Sequence, residues 1–334
     1  MKHDNALNFL RLVFAALVVV NHSGPVLGLD DRVIAGDTIG GWAVAGFFAI
    51  SGYLITSSRD RLTLAAFLWR RCLRIYPAFW VCLSLVAFGF APLSARLTGD
   101  SWSAVGAVSY VFSNATLLVR QSGVPDTLSH TAYPTMWNLS LWTLAYEFGC
   151  YLLTALVRWR RTPLLGNLGV ALLFAAATAL SQPGVKARVP IEVFWAGKLG
   201  AFFFAGALLF TLRDRIALSH GGAVFALASF TALIPLHLAS RLGALPLAYL
   251  VLWVGVTLPI RWGSVNDISY GVYIYGFPVQ QLASSSLPSL TSEIALTVMT
   301  LGIVAPLAWG SWLVVERPAM RLKSSVSRHQ RIVH

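Results

Sequence analysis

The sequence predicts an all-α, polytopic membrane protein with ten transmembrane helices and one external amphipathic or re-entrant segment. Three observations predict it. Hydrophobic residues make up 57% of the 334 and charged residues only 11%, against roughly 25% charged in a soluble domain. Too few charges remain to cover a water-exposed surface, so the bilayer is part of the solvent. Apolar runs of spanning length recur at 7–28, 38–57, 75–93, 138–157, 164–181, 191–211, 221–239, 244–260, 268–287 and 293–315. The basic residues gather in the short segments between them, as the positive-inside rule expects.

Taken in order, the first run extends from Leu7 past Val20 without an A-x-A cleavage site, so it is expected to stay as a helix and not to be removed as a leader. The second carries GFFAISGYLI, in which Gly46, Ser51 and Gly52 permit close helix approach. Packing is the main reading there, and Ser51 as a site hydroxyl is the other. The third run follows the basic stretch FLWRRCLRIYP, with Pro77 in its first turn or two. An eleventh candidate, 102–119, is interrupted by Ser103, Ser109, Ser113, Asn114 and Thr116.

Charge arbitrates whether that segment crosses. With ten crossings and both ends cytoplasmic, 18 of the 25 lysines and arginines lie inside and 7 outside; an added crossing at 102–119 makes the split 12 to 13. Only the ten-helix arrangement gives the expected bias. The segment is therefore placed in the interface or dipping into the bundle from outside. The long external loop at 94–137 holds Asp126, His130, Tyr133 and Trp137, which suits either recognition of a bulky hydrophilic acceptor or a passive lid.

Several function classes fall away. The net charge of +12 is spread over loops and not interleaved with exposed aromatics, so nucleic acid is not expected as a partner. Cys72, Cys82 and Cys150 have neither CxxC spacing nor an even count and read as small buried hydrophobes. The seven histidines offer no H-x-x-x-H pair, so no metal is expected. No repeat or linker divides residues 1–334, which read as one transmembrane domain.

Chemistry concentrates in three places. Arg11 and His22, eleven residues apart, fall within about 20° of one helix face and about 16 Å along it. Ionisable groups inside a span are costly and usually face a functional interior; the alternatives are a core histidine bonded to a carbonyl and a snorkelling arginine. Arg70, Arg71 and Arg74 gather at the start of the third helix, and Arg71 and Arg74 share a face at i, i+3. Guanidinium forks match phosphate oxygens, although anchoring also explains basic residues there. The helix WNLSLWTLAYEFGCYLL places Glu147 about 14 Å deep, the only acid expected in mid-membrane, with Trp142 and Tyr151 near it in turns. A carboxylate there must be protonated or paired with a cation.

On these motifs the chain resembles the acyltransferase family 3 membrane proteins. R-x10-H is matched by Arg11 and His22, FF-x-x-SG by Phe47, Phe48, Ser51 and Gly52, RxxR by Arg71 and Arg74 before Pro77, and W-x4-E-x3-Y by Trp142, Glu147 and Tyr151. ISYGVYIYGFP at 268–278 is similar to the family's SY-x-x-Y segment, and Glu316 with Pro318 to its terminal E-x-P. Gly276 departs from the pattern, standing where many members carry a second histidine. No appended soluble domain is expected.

The resemblance implies a multi-pass enzyme of the bacterial inner membrane, bedded in membrane lipid. It would move an acyl group, most often acetyl, from cytoplasmic acetyl-CoA or another acyl-CoA to a hydroxyl of a carbohydrate acceptor. Arg70, Arg71 and Arg74 are then candidates for the coenzyme's phosphates, with Ser51, Tyr151 and Trp142 lining its path. His22 is the candidate general base or acyl carrier. Glu147 either fixes the imidazole tautomer or pairs with Arg11 and leaves the histidine alone. Proton-coupled transport, or flipping of a lipid-linked glycan, is the rival that intramembrane Arg, His and Glu also suit.

Overall fold

The computed structural model describes residues 5–157, 163–260, 263 and 266–324. In chain order the elements are α1 (Leu7–Val26), a short hairpin of β1 (Val33–Ile34) and β2 (Asp37–Thr38), α2 (Ile39–Arg61), α3 (Leu64–Leu85), α4 (Ala91–Thr98), α5 (Ala104–Asn114), α6 (Trp142–Leu156), α7 (Pro163–Leu180), α8 (Pro183–Lys186), α9 (Ile191–Thr211), α10 (His220–Leu233), α11 (Ala239–Leu242), α12 (Ala244–Thr257), α13 (Ser269–Ser286), α14 (Glu293–Ser311) and α15 (Arg317–Arg321). π-helical turns at Val86–Phe90 and Trp312–Glu316 join α3 to α4 and α14 to α15.

A helix stands at each of the ten predicted runs, and among the described residues five helical stretches are long and apolar enough to cross a bilayer: Leu7–Val26, Ile39–Arg61, Leu64–Thr98, Ile191–Thr211 and Glu293–Arg321. The chain is a mostly helical, multi-pass membrane protein, and these five are the spans that length and apolarity support. α10 and α12 have 14 residues each, about 21 Å at 1.5 Å per residue, against a hydrocarbon core of about 30 Å. α5, within 102–119, has 11 residues, about 16 Å by the same rise, too short to cross. The basic residues Lys2, Arg158, Arg160, Arg161, Arg261, Arg328 and Arg331, which enter the charge balance, lie outside the described residues.

Three boundaries differ from expectation. α3 begins at Leu64, not near residue 75, because the Thr63 hydroxyl accepts the Ala66 N–H at 3.4 Å, satisfying an orphan donor of a first turn. Arg70, Arg71 and Arg74 are therefore helical, and Pro77 lies well inside the helix. α6 begins at Trp142, not Asn138. Asn138 is engaged by the Tyr110 hydroxyl, and the Ser140 carbonyl accepts from Tyr273 at 2.9 Å, which draws the preceding backbone out of helical register. At the other end the last helix does not stop before Pro318, because the π turn lets that proline serve as an early residue of α15.

The residues cluster into two compact units, neither contiguous in sequence. The first combines Met1–Phe14, Val33–Arg71 and Tyr146–Ser264. Its centre is the contact of α2 with α9: a Cβ on Gly52 would lie 1.7 Å from the Phe203 carbonyl oxygen, and one on Gly206 would lie 2.0 Å from that of Ala49. Only glycine permits this backbone-on-backbone approach. Lys198 of α9 is held by Asp37 at 2.8 Å.

The second unit combines Ala15–Arg32, Cys72–Ala145 and Val265–His334. Its centre is α13, buried along nearly its whole length, where Gly271 packs on Ala308 of α14. The segment between α5 and α6 is irregular but internally bonded. Asn114 joins the backbone of Tyr110, Arg120 and Gln121, and Trp137, fully buried, donates to Thr127 at 2.9 Å. Trp137 is thus a packing residue of this loop and is not available to stack on an acceptor.

Candidate active site

In the first unit the site grows from α6. Tyr151 follows Glu147 by one turn, and its hydroxyl donates to Glu147 Oε1 at 2.6 Å. Ser51 of α2 donates to the same oxygen at 2.7 Å. Next to Ser51, Gly52 brings α9 close, so one dipeptide serves both packing and polar contact. Glu147 lies five residues into α6, about 7.5 Å along it from the helix start. Two hydroxyls from different helices thus converge on one carboxylate oxygen.

Guanidinium groups surround this cluster. Arg71 lies 6.0 Å from the centre of the Tyr151 ring and 5.8 Å from that of Phe67, and it donates to Ser58 at 3.4 Å. The charges of Arg71 and Arg11 both act on the Tyr151 hydroxyl. Arg11 sits 6.0 Å from the Phe47 ring centre, and Phe47 precedes Ser51 by one turn. One face of α2 thus covers Arg11 and reaches Glu147. Arg70 is half-buried, with Nε lacking a hydrogen-bond partner among the described residues.

His22 and Trp142 belong to the second unit. Trp142 is the half-buried first residue of α6. His22 is half-buried, packs edge-on against Phe277 with centroids 5.2 Å apart, and has Nδ1 buried without a hydrogen-bond partner among the described residues. That nitrogen is not the carbonyl-bonded core group of the alternative reading. The adjoining turn is pinned by polar pegs: Gln280 Nε2 donates to the Val19 carbonyl and to Ser23 Oγ, both at 2.8 Å, and Ser23 and Thr297 share a hydrogen bond of 2.7 Å. These fix the rotation of α1 beside His22. Sequence reasoning missed Gln280, although an amide in an otherwise apolar helix was the available signal. At Gly276, the departure from the expected pattern, a Cβ would lie 2.7 Å from Val19 Cγ2; the space is filled.

Arg74 has surroundings unlike those of Arg71. Its two terminal nitrogens reach Asp267 at 2.6 Å and Glu316 at 3.1 Å, with Arg74 14%, Asp267 13% and Glu316 2% exposed. Tyr270 and Trp312 flank the guanidinium at 5.7 and 5.8 Å. Glu316 is therefore a deeply buried acid, whereas Glu147 is half-buried; the sequence reading did not expect this because it ended the last span one residue earlier. Three separate motifs, RxxR, the segment before SY-x-x-Y, and E-x-P, converge on this one ionic cluster.

A multi-pass protein with buried histidine, carboxylate and guanidinium groups is the class this architecture defines. Residues 4–315 match the family model described as an acyltransferase domain, that of acyltransferase family 3. The chain belongs to that family and is a membrane acyltransferase. It is 28% identical to the O-acetyl transferase of Shigella phage Sf6, over 92% of this chain and 95% of the relative. It is 29% identical to Nodulation protein 10 of Rhizobium leguminosarum bv. viciae, over 97% and 95%. It is 26% identical to the exopolysaccharide production protein ExoZ of Rhizobium meliloti (strain 1021), over 85% and 90%. No solved structure matches.

Proposed function

We propose that this protein is an O-acetyltransferase that moves an acetyl group from acetyl-CoA to a hydroxyl of a surface or exported polysaccharide, or of its lipid-linked precursor. Family membership and the names of the relatives support the reaction class. The observation that carries the reading is His22, an imidazole within a membrane helix whose Nδ1 has no competing hydrogen bond among the described residues.

In this mechanism the imidazole takes the proton of the acceptor hydroxyl as its oxygen attacks the thioester carbonyl. The C–O bond forms, the C–S bond breaks, and the proton leaves with the coenzyme thiolate. Transfer through an acetyl-imidazole, formed and then cleaved by the hydroxyl, has the same balance. Arg71 and Arg70 suit the donor's phosphates better than Arg74, whose charge is met by two carboxylates. Glu147, held by Ser51 and Tyr151, sets the charge around Arg71 and Arg11. The reaction faces the cytoplasm on its donor side.

Replacing His22 with Ala tests the reading. Transfer from radiolabelled acetyl-CoA should fall about 10²–10⁴-fold, the range of general acid–base catalysis, while detergent-solubilised protein keeps its unfolding temperature. Retained activity removes His22 from the reaction. Label that stays on protein incubated without acceptor, and is absent from the His22→Ala variant, assigns the acyl-imidazole route.

A further inference from the structure

The second unit contains a cavity of about 740 Å³, well inside the roughly 300–1,000 Å³ of ligand pockets. It lies on the side of α1 predicted to face outward. We propose that it is a recognition site for a neutral, diol-bearing saccharide and holds the sugar units that flank the acylated one. This inference rests on the polysaccharide reading above.

The lining is chemically mixed in the way a sugar requires. Asp100, His130, Thr131 and Thr291 line it with polar residues, and leucines between them offer apolar surface to C–H faces. Asp100 is pre-oriented: Ser129 donates to it from both its hydroxyl and its backbone N–H, the latter at 3.2 Å. A carboxylate has about four acceptor positions, so beyond the bonds from Ser129 and Thr98 capacity remains for a sugar hydroxyl. An acyl chain would leave these groups unmatched, and a uronate would meet the Asp100 carboxylate with like charge.

Position sets the role. Val26 on the cavity wall follows His22 by one turn of α1, about 6 Å. Val26, Phe277 and Leu296 form one buried cluster against which Leu27 and Leu290, also of the wall, pack. Phe277 in turn meets the His22 ring. The cavity and the imidazole are thus registered through a single apolar cluster. A unit seated in the cavity lies a turn away from the reacting hydroxyl, so the site selects the acceptor without touching the chemistry.

Saturation-transfer NMR on the full chain in nanodiscs, without donor, tests this with gluco-, manno- and galacto-configured neutral tetrasaccharides and the matching tetra-uronates. At least one neutral saccharide should bind saturably, and the uronates should not. Asp100→Asn, and independently Thr291→Trp, which fills the cavity from an exposed wall position, should weaken binding at least tenfold. Binding unchanged in both variants, preference for uronates, or no binding across the panel overturns the proposal. His22→Ala should leave binding intact. Asp100-dependent binding by a protein that transfers acetyl to no saccharide would overturn the transferase reading and leave the site standing.

Discussion

Ser51 and Tyr151 share one oxygen of Glu147, and this fixes how each should respond to substitution. Ser51→Ala or Tyr151→Phe removes one donor and should lower stability by about 0.5–1.5 kcal/mol. The double variant strips the carboxylate of both hydroxyl donors and should cost more than the sum. Thermal unfolding of the four proteins as a double-mutant cycle reads the difference; simple additivity would mean the two donors act independently. Arg74 is the sharper case. Removing it leaves Asp267 and Glu316 uncompensated, and breaking a buried pair costs about 3–5 kcal/mol. Arg74→Ala should therefore unfold at markedly lower temperature, whereas Arg71→Ala should weaken acetyl-CoA binding with little change in stability. Equal loss of donor binding in the two folded variants would return Arg74 to the phosphate-binding group. Gly276→His should destabilise by the roughly 1–3 kcal/mol of overpacking, and Val19→Ala should restore most of that, because Val19 Cγ2 is the atom in the way.

At the scale of elements, α2 and α9 depend on Gly52 and Gly206. Ala at either position would place its methyl carbon within 2 Å of a backbone oxygen, so the helices must part. Loss of the folded detergent-stable form is expected, read by size-exclusion chromatography; a normal profile for Gly52→Ala would show the pair can slide. The FF-x-x-SG pattern was legible as a packing motif, which Gly52 fulfils against α9, while Ser51 donates to Glu147. What hydropathy could not show was the start of α3. Its first turns carry Arg70, Arg71 and Arg74, which depress any apolar window, yet Leu, Ala and Arg are good helix formers and Thr63 supplies the cap. Glu316 fell one residue past the last apolar run, and the helix continues through it because the π turn leads into α15, where Pro318 suits the first turn. The Arg74 cluster was invisible because its members stand 193 and 242 residues apart, and no local period encodes a contact at that range.

Across the whole molecule, acyl transfer is selected over transport by family membership, because buried Arg, His and Glu alone suit both. The irregular segment that follows α4 should respond to pH through Asp100. Burial pushes its carboxyl up, but hydrogen bonds from Ser129 and Thr98 and the charge of His130 together outweigh that and hold it below its ordinary value of 3.8. A depressed folded pKa contributes stability above 3.8 that is lost as pH falls through the still lower folded value. Hydrogen-exchange protection at Ser129 should thus be flat from neutral pH down to about 4 and fall below it, and Asp100→Asn should abolish the step. A step near neutral pH would show that Asp100 does not set the transition.

The ion cluster at Arg74 also dictates a timetable for biogenesis. Its carboxylate partner at 316 is translated 242 residues later, a delay on the order of tens of seconds at bacterial elongation rates. Until then the nascent guanidinium has no such counterion, so the third helix must wait near the headgroups or beside the insertion machinery. Ribosome-stalled chains arrested before Asp267 should keep Arg74 accessible to water-soluble reagents, and release of the finished polypeptide should hide it.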